Sequence, residues 1–283
     1  MSQSEHSDSQ KVNPIDGAEM VLVPAGEFQM AISDEQVRDF CKTGRPHPDS
    51  MEFMRPARRV YLDAYWIYRY PITFGQYRAF CKANPKFEVP SNIYTRFRLP
   101  DIVMSDDFPI CFVTWQAAAA YCKWARVRLP SEAEWEKAAR GTDGRYYPWG
   151  NVFDPANANF RTDLHGIPES VHARPGGVSP YGARQMCGNC RDWCEDRFAP
   201  YGKPNRPFKG PLDLWGYSHG PGSQAEPPFE RNPRGGALGS SRVIRGGGWA
   251  NGNPNWAGLT TFRQGESPTA KRMDLGFRPV LSA

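Results

Sequence analysis

Three cysteines stand close together at Cys187, Cys190 and Cys194, in the pattern C-x2-C-x3-C. Thiolates are soft ligands, and three of them suit zinc or an iron–sulfur cluster. The spacing fits no standard four-ligand pattern, and no fourth Cys or His lies nearby in sequence. Two readings therefore stand: a soft-metal site, or buried structural thiols. His165 and His172 form a second candidate pair, as a partial metal site or as plain surface histidines. None of the five histidines has H-x3-H or H-x-x-E-H spacing. Charge is also concentrated in Arg128-Leu129-Pro130-Ser131-Glu132-Ala133-Glu134-Trp135-Glu136. Its arginine and glutamates are expected as buried or half-buried ion pairs, a structural network rather than a catalytic one.

The elements that must position these groups are legible in part. Ala18–Met30 alternates and turns at Pro24-Ala25-Gly26, which predicts a hairpin. Residues 31–56 read as an irregular, charged surface loop. Val60–Tyr70 is aromatic and β-branched, which favours a strand. Thr73 with Gln76 makes a capping box before a helix lined by Tyr77, Phe80 and Cys81. Thr114 is a candidate N-cap, followed by Trp115, Ala118, Ala119 and Cys122 at helical spacing. Ser131 with Glu134 opens a further helix. Trp115, Trp124, Trp135 and Trp149 read as core pieces with their N–H groups satisfied. Beyond Gly141 helix signals vanish, and residues 199–239 are too rich in Gly and Pro for regular packing.

Length and composition bound the answer. A chain of 283 residues with 27 Gly, 27 Pro and 13% aromatics suits one loop-rich globule rather than a helical bundle. The 35 basic and 30 acidic residues leave a net charge of +5, scattered rather than striped. That argues against nucleic acid as a partner. No apolar stretch approaches the roughly 18–20 residues that span a bilayer. The first residues are polar and carry no export pattern, so residues 1–16 are expected as a disordered lead-in. With seven cysteines and no signal peptide, a reduced, cytoplasmic setting is expected.

Val113 to Gly141, Tyr147-Pro148-Trp149-Gly150-Asn151, Gly188-Asn189-Cys190-Arg191-Asp192-Trp193, Arg245-Gly246-Gly247-Gly248-Trp249 and Leu275-Gly276-Phe277-Arg278 follow one another in order. With Met20–Met30 near the start, this series resembles the formylglycine-generating enzymes, the sulfatase-modifying factors. The resemblance implies a single compact α+β domain over residues 17–283, a loop-rich variant of the C-type lectin fold, with insertions near 31–56 and 202–230. It also implies structural calcium, held by backbone carbonyls and a few side-chain oxygens. One family site matches Gln185, Gly188, Cys190 and Asp192. Another matches Asn159 and Phe160, with Asp163 as the downstream carboxylate.

Active members of that family carry two cysteines that bind copper(I) and use oxygen to convert a substrate cysteine to formylglycine. Those positions fall here on Asn251 and Trp256, neither of which can stand in for a thiolate. Relatives of the ergothioneine-synthase branch add an iron-binding helical domain whose histidine spacing this chain lacks. Other relatives keep the fold as accessory, tailoring or ligand-binding proteins.

The resemblance thus implies a protein that is not a formylglycine generator. The first expectation is a recognition or accessory protein that binds a peptide, protein or small molecule. Its face would be built by Trp249, Asn251, Asn253, Asn255, Trp256, Phe262 and Arg263. The alternative is a divergent metal-dependent oxidoreductase acting on a peptide-like substrate through an unassigned redox metal. The insertion with Trp215, Tyr217, His219 and Phe229 is expected to overhang the same face.

Overall fold

A computed structural model describes residues 9–42, 51, 53–90, 105–160, 167–199, 201, 229–235 and 239–283. Helices α1 (Asp34–Cys41), α2 (Phe74–Ala83), α3 (Trp115–Trp124) and α4 (Glu132–Arg140) each follow a hydroxyl residue. The side chains of Ser33, Thr73, Thr114 and Ser131 accept from a backbone N–H in the first turn. Gln36, Gln76 and Glu134 complete capping boxes at three of the four. The fifth helix, α5 (Pro254–Ala257), is a single turn. Among the described residues no helix is long and apolar enough to cross a membrane.

The strands are β1 (Gln10–Val12), β2 (Glu19–Val23), β3 (Gly26–Met30), β4 (Arg58–Leu62), β5 (Tyr65–Tyr68), β6 (Arg191–Arg197), β7 (Glu230–Arg231), β8 (Arg242–Arg245), β9 (Arg263–Glu266), β10 (Leu275–Gly276) and β11 (Val280–Ser282). They form three small sheets, ordered β1-β2-β5-β11, β3-β4-β7 and β10-β6-β8-β9. The first is antiparallel throughout, while β7 runs parallel to β4 and β10 parallel to β6. Helices and short sheets in one chain match the α+β expectation.

Three expectations need correction. The hairpin over 18–30 is not one: β2 and β3 belong to different sheets. Val23 pairs with Tyr65, whereas Gly26 pairs with Leu62. The two strands form a ribbon with β5 and β4 that bends where Pro24, without an N–H, cannot continue the ladder. The loop drawn over 31–56 contains α1, whose Ser33–Gln36 capping box has the same signature as the two recognised elsewhere. The described part of the lead-in, residues 9–16, is ordered, held by polar anchors. Strand β1 pairs with β2, and Asn13 donates to the Tyr68 hydroxyl at 2.6 Å and the Ala125 carbonyl at 3.0 Å. Asp16 then accepts from the Tyr68 and Tyr121 hydroxyls at 2.9 and 2.6 Å. Burial and the Asp16 charge push both tyrosines up, keeping them as donors.

Helix α4 lies at the centre, against β3, β4, β6 and β8. All nine of its residues are buried, including Glu132, Glu134, Glu136, Lys137 and Arg140. Trp135 packs with Val21, Val23, Val60, Ile67, Met186 and Val243. A second core joins α2 and α3 through Tyr77, Phe80, Tyr121 and Phe277. A third gathers Ile32, Tyr147, Phe160, Leu259 and Phe262 under the loops of the C-terminal half.

Candidate functional site

A buried charge in this fold persists only if it is paired and hydrogen-bonded, and α4 shows how completely that is done. Glu136 accepts from Arg245 at 2.5 Å, from Arg140 at 3.3 Å and from the Ala31 N–H at 2.6 Å. Glu132 takes a bidentate bond from Arg263, at 2.6 and 2.8 Å. Burial alone would push the Glu132 carboxyl up. The Arg263 and Arg245 guanidinium groups overcome that and hold it below the ordinary carboxylate range. Glu134 is gripped by both terminal nitrogens of Arg128, at 2.7 and 2.6 Å. The ion pairs expected from the sequence are therefore present, with Arg245, Arg263 and Arg140 as partners the sequence did not assign.

Two further buried ionisable groups lie in or beside α4, Lys137 and Asp196. Among the described residues, Lys137 donates to the Pro24 and Gly26 carbonyls, at 2.7 and 2.9 Å, and burial pulls it down to about 8. Asp196 accepts the Glu132 N–H at 2.7 Å and the Gly235 N–H. Burial, and then the Glu132 charge, raise its carboxyl to about 6.

The first expected calcium set is Gln185, Gly188, Cys190 and Asp192. Asp192 is fully buried, and its Oδ2 accepts from Trp135 Nε1 at 2.9 Å and Arg278 Nε at 2.8 Å. Its Oδ1 has no hydrogen-bond partner among the described residues. A buried, orphaned carboxylate oxygen is what a hard cation would satisfy. Gln185 is also buried, but its Oε1 accepts from Asn189 at 2.7 Å, so it would have to share that oxygen. In the second set, Asn159 donates to Asn189 Oδ1 at 3.2 Å and to the Ile167 carbonyl at 2.9 Å. Phe160 packs in the third core, and Asp163 lies outside the described residues. The two sets adjoin: the Asn189 N–H donates to the Asn159 carbonyl at 2.8 Å. Asn189, buried and at a φ of 58°, joins them and was not singled out from sequence.

Arg278 is the other unforeseen residue. Its guanidinium donates to Asp192 and to four backbone carbonyls, those of Tyr68, Arg69, Arg184 and Gln185. One side chain thus joins β5, the loop before β6, and β6 itself.

The seven residues expected to build one ligand face divide into two groups. Trp249, Phe262 and Arg263 are buried, at 5%, 1% and 1% exposure, and stand behind the surface. Trp249 is fixed by its N–H on the Met273 carbonyl at 3.1 Å, and Arg263 by Glu132. Asn253 and Asn255 are exposed, while Asn251 and Trp256 are half-buried. Asn251 Oδ1 accepts from the Gly248 N–H at 2.7 Å. Trp256 packs its ring on Phe262 and Phe53, at 4.6 and 6.1 Å, while its indole N–H is unpartnered among the described residues. Asn253 occupies the N-cap position of α5 yet makes no side-chain cap bond.

Next to this turn, the loop from Trp149 to Pro155 lines an open cleft of about 500 Å³. Tyr147 links the two, stacking on Trp149 at 5.6 Å and donating to the Asn255 carbonyl at 2.8 Å. A second open cleft, of about 520 Å³, lies elsewhere, between Asp16–Glu19, Tyr70-Pro71 and Asp106–Asp107. Its walls include His172, exposed and edge-on to Tyr70 at 4.9 Å. His165, Trp215, Tyr217 and His219 lie outside the described residues; Phe229 is exposed.

The three clustered cysteines do not converge. Cys187 packs in the third core, Cys190 in the core of α2 and α3, and Cys194 in the core beside Trp135. Cys190 lies just before β6 and Cys194 within it, in different cores. No grouping of His, Cys, Asp and Glu suited to a metal occurs among the described residues.

A family model, the sulfatase-modifying factor enzyme 1-like domain, matches residues 3–283. The hercynine oxygenase of Mycolicibacterium smegmatis is 32% identical over 260 residues, covering 81% of this chain and 54% of that protein. The chain thus spans about half the length of that relative. The inactive C-alpha-formylglycine-generating enzyme 2 of Bos taurus is 26% identical over 312 residues, covering 92% of this chain and 86% of that protein. Among solved structures, PvdO from Pseudomonas aeruginosa superposes with a TM-score of 0.67 at 20% identity, covering 97% of this chain and 98% of that one. That likeness supports the C-type-lectin-like variant as the fold.

Proposed function

The chain belongs to the sulfatase-modifying factor enzyme 1-like family, and on that premise we propose that it is a recognition domain rather than a formylglycine generator. Its ligand, a peptide, protein or small molecule, would sit on the Asn251–Trp256 turn and the Trp149–Pro155 cleft. One observation carries this reading. At four helix starts a polar side chain is consumed by capping, whereas at α5 the Asn253 side chain is left out of the cap and exposed. Amide side chains that the fold does not use are free to bond a partner. Trp149, half-buried, adds apolar area beside them.

A structural calcium ion is the cofactor we propose for the same domain. The side chains of Asp192 and Gln185 and the carbonyls of Gly188 and Cys190 would hold it. It would pin the loop that enters β6, and the orphaned Asp192 oxygen supports it.

The kinship with a hercynine oxygenase supports a second reading, in which the domain works in an oxidative reaction on a small or peptide-like substrate. A titration followed by tryptophan fluorescence separates the two readings. Hercynine and cysteine-containing peptides would be added to the wild type and to Asn253→Ala and Trp149→Ala variants. Saturable binding that both variants weaken about tenfold, with no oxygen consumed, is the expected result. Stoichiometric iron or copper by mass spectrometry, with ligand-dependent oxygen uptake, would overturn the recognition reading in favour of the oxidative one.

A further inference from the structure

Cys111 and Cys190 were not paired by any sequence argument, since 79 positions separate them. In the fold their sulfurs lie 3.3 Å apart, both side chains buried. Each sits on a segment fixed from both sides. Ile110 donates its N–H to the Ile72 carbonyl at 2.8 Å, and Phe112 donates to Arg272 at 2.9 Å. Across from them, Arg191 donates its N–H to Asp274 at 2.7 Å, and the Trp193 indole donates to the Val113 carbonyl at 3.0 Å. The thiols are held in register by four bonds that none of their own atoms make.

Gly276, in β10, makes the approach possible. A Cβ there would stand 2.1 Å from the Ile110 carbonyl oxygen and 2.8 Å from the Cys190 sulfur. Any side chain would drive the two segments apart. The other described contact involving a cysteine sulfur and another sulfur, Cys41 with Met51, is 4.0 Å long and cannot form a disulfide.

We propose that Cys111 and Cys190 are a disulfide site, closed by thiol–disulfide exchange with a small-molecule or protein disulfide. The sulfurs need to approach by about 1.3 Å to reach the ~2.0 Å of an S–S bond. In the first step one thiolate attacks the donor disulfide, forming a mixed disulfide and releasing one donor thiolate. In the second, the other cysteine attacks the mixed disulfide, forming the Cys111–Cys190 bond and releasing the second donor thiolate. Two electrons pass to the donor, and the two cysteine protons end on its two released thiols. Both thiols are buried, so exchange begins when the segment opens. The bond would tie the segment that leads into α3 to the start of β6. Cys190 is also a proposed calcium carbonyl, so the crosslink would brace that loop.

The test uses the full-length chain, reduced and then incubated with oxidised glutathione in urea below the unfolding transition. Local opening then admits the oxidant. Free thiols are alkylated and the protein is mapped without reduction. The expected result is a linked peptide joining Cys111 and Cys190 and a melting midpoint raised on the order of 5–10 °C over the reduced protein. A Cys81→Ser variant should keep both effects, and Cys111→Ala should lose both. Cys111 and Cys190 that remain fully alkylated, or carry only glutathione, would overturn the proposal. Crosslinks that involve other cysteines instead would also overturn it.

Discussion

Helix α4 and the turn at α5 treat polar side chains in opposite ways. Around α4, carboxylates and guanidinium groups are withdrawn from water and matched to one another, so the polar atoms are spent on holding the sheets together. At α5, Asn253 and Asn255 face solvent, and the cap position is left unfilled by its own side chain. The difference teaches where function can be sought. A polar group already committed to the fold can be removed only at a large cost in stability. One left uncommitted can change its partner without disturbing the core.

The sharpest way to break this contrast is to unpair a charge beneath α4. Glu136→Gln leaves Arg245 and Arg140 short of their shared carboxylate in a fully buried site. Urea unfolding should show a loss of about 3–5 kcal/mol. A loss under about 1 kcal/mol would mean that the network is not what holds the sheets together.

Asp196 offers a second test through pH. Its folded value, about 6, lies above the ordinary carboxylate value, so the fold binds its proton more tightly than the unfolded chain does. Its contribution is fully present below the unfolded pKa and is lost as pH rises through about 6. The change amounts to about 3 kcal/mol for a two-unit shift. Unfolding free energies of wild type minus Asp196→Asn should therefore fall between pH 4 and pH 6.5 and be flat above it. A difference that does not vary with pH would remove Asp196 from the account.

Calcium comes next. Removing it with a chelator should destabilise the wild type by about 2–3 kcal/mol if the ion had been supplied at a hundredfold excess over its Kd. Asp192→Asn should melt at the same temperature with and without chelator. An unchanged wild-type midpoint would sink the calcium proposal.

The finest comparison sets two caps side by side. Ser131→Ala removes a cap that accepts a backbone N–H at 3.2 Å and should cost about 1 kcal/mol. Asn253→Ala removes a cap residue whose side chain makes no bond and should change stability by under about 0.5 kcal/mol. Equal losses in thermal melts would erase the distinction on which the recognition reading rests.

The sequence determined the local starts and the overall kind of fold. Capping boxes at Thr73 and Ser131 were legible because a hydroxyl three residues before Gln or Glu acts within one turn. The α1 start at Ser33 carried the same signal, but its charged surroundings masked it. The motif series from Val113 to Arg278 likewise carried the family. Pairings over long separations were decided only in three dimensions. The corner at Pro24 sends β2 and β3 to different sheets, and which strand pairs with which depends on register across many residues. Arg245, Arg263 and Arg278 look like ordinary surface charges until helix α4 and the Asp192 carboxylate are placed against them. The cysteines reversed their apparent grouping for the same reason. Cys190 precedes β6 and packs with α2 and α3, Cys194 lies within β6 and packs beside Trp135, and two distant backbones bring Cys111 to Cys190. Sequence spacing reports neighbours along the chain, and chemistry depends on neighbours in space.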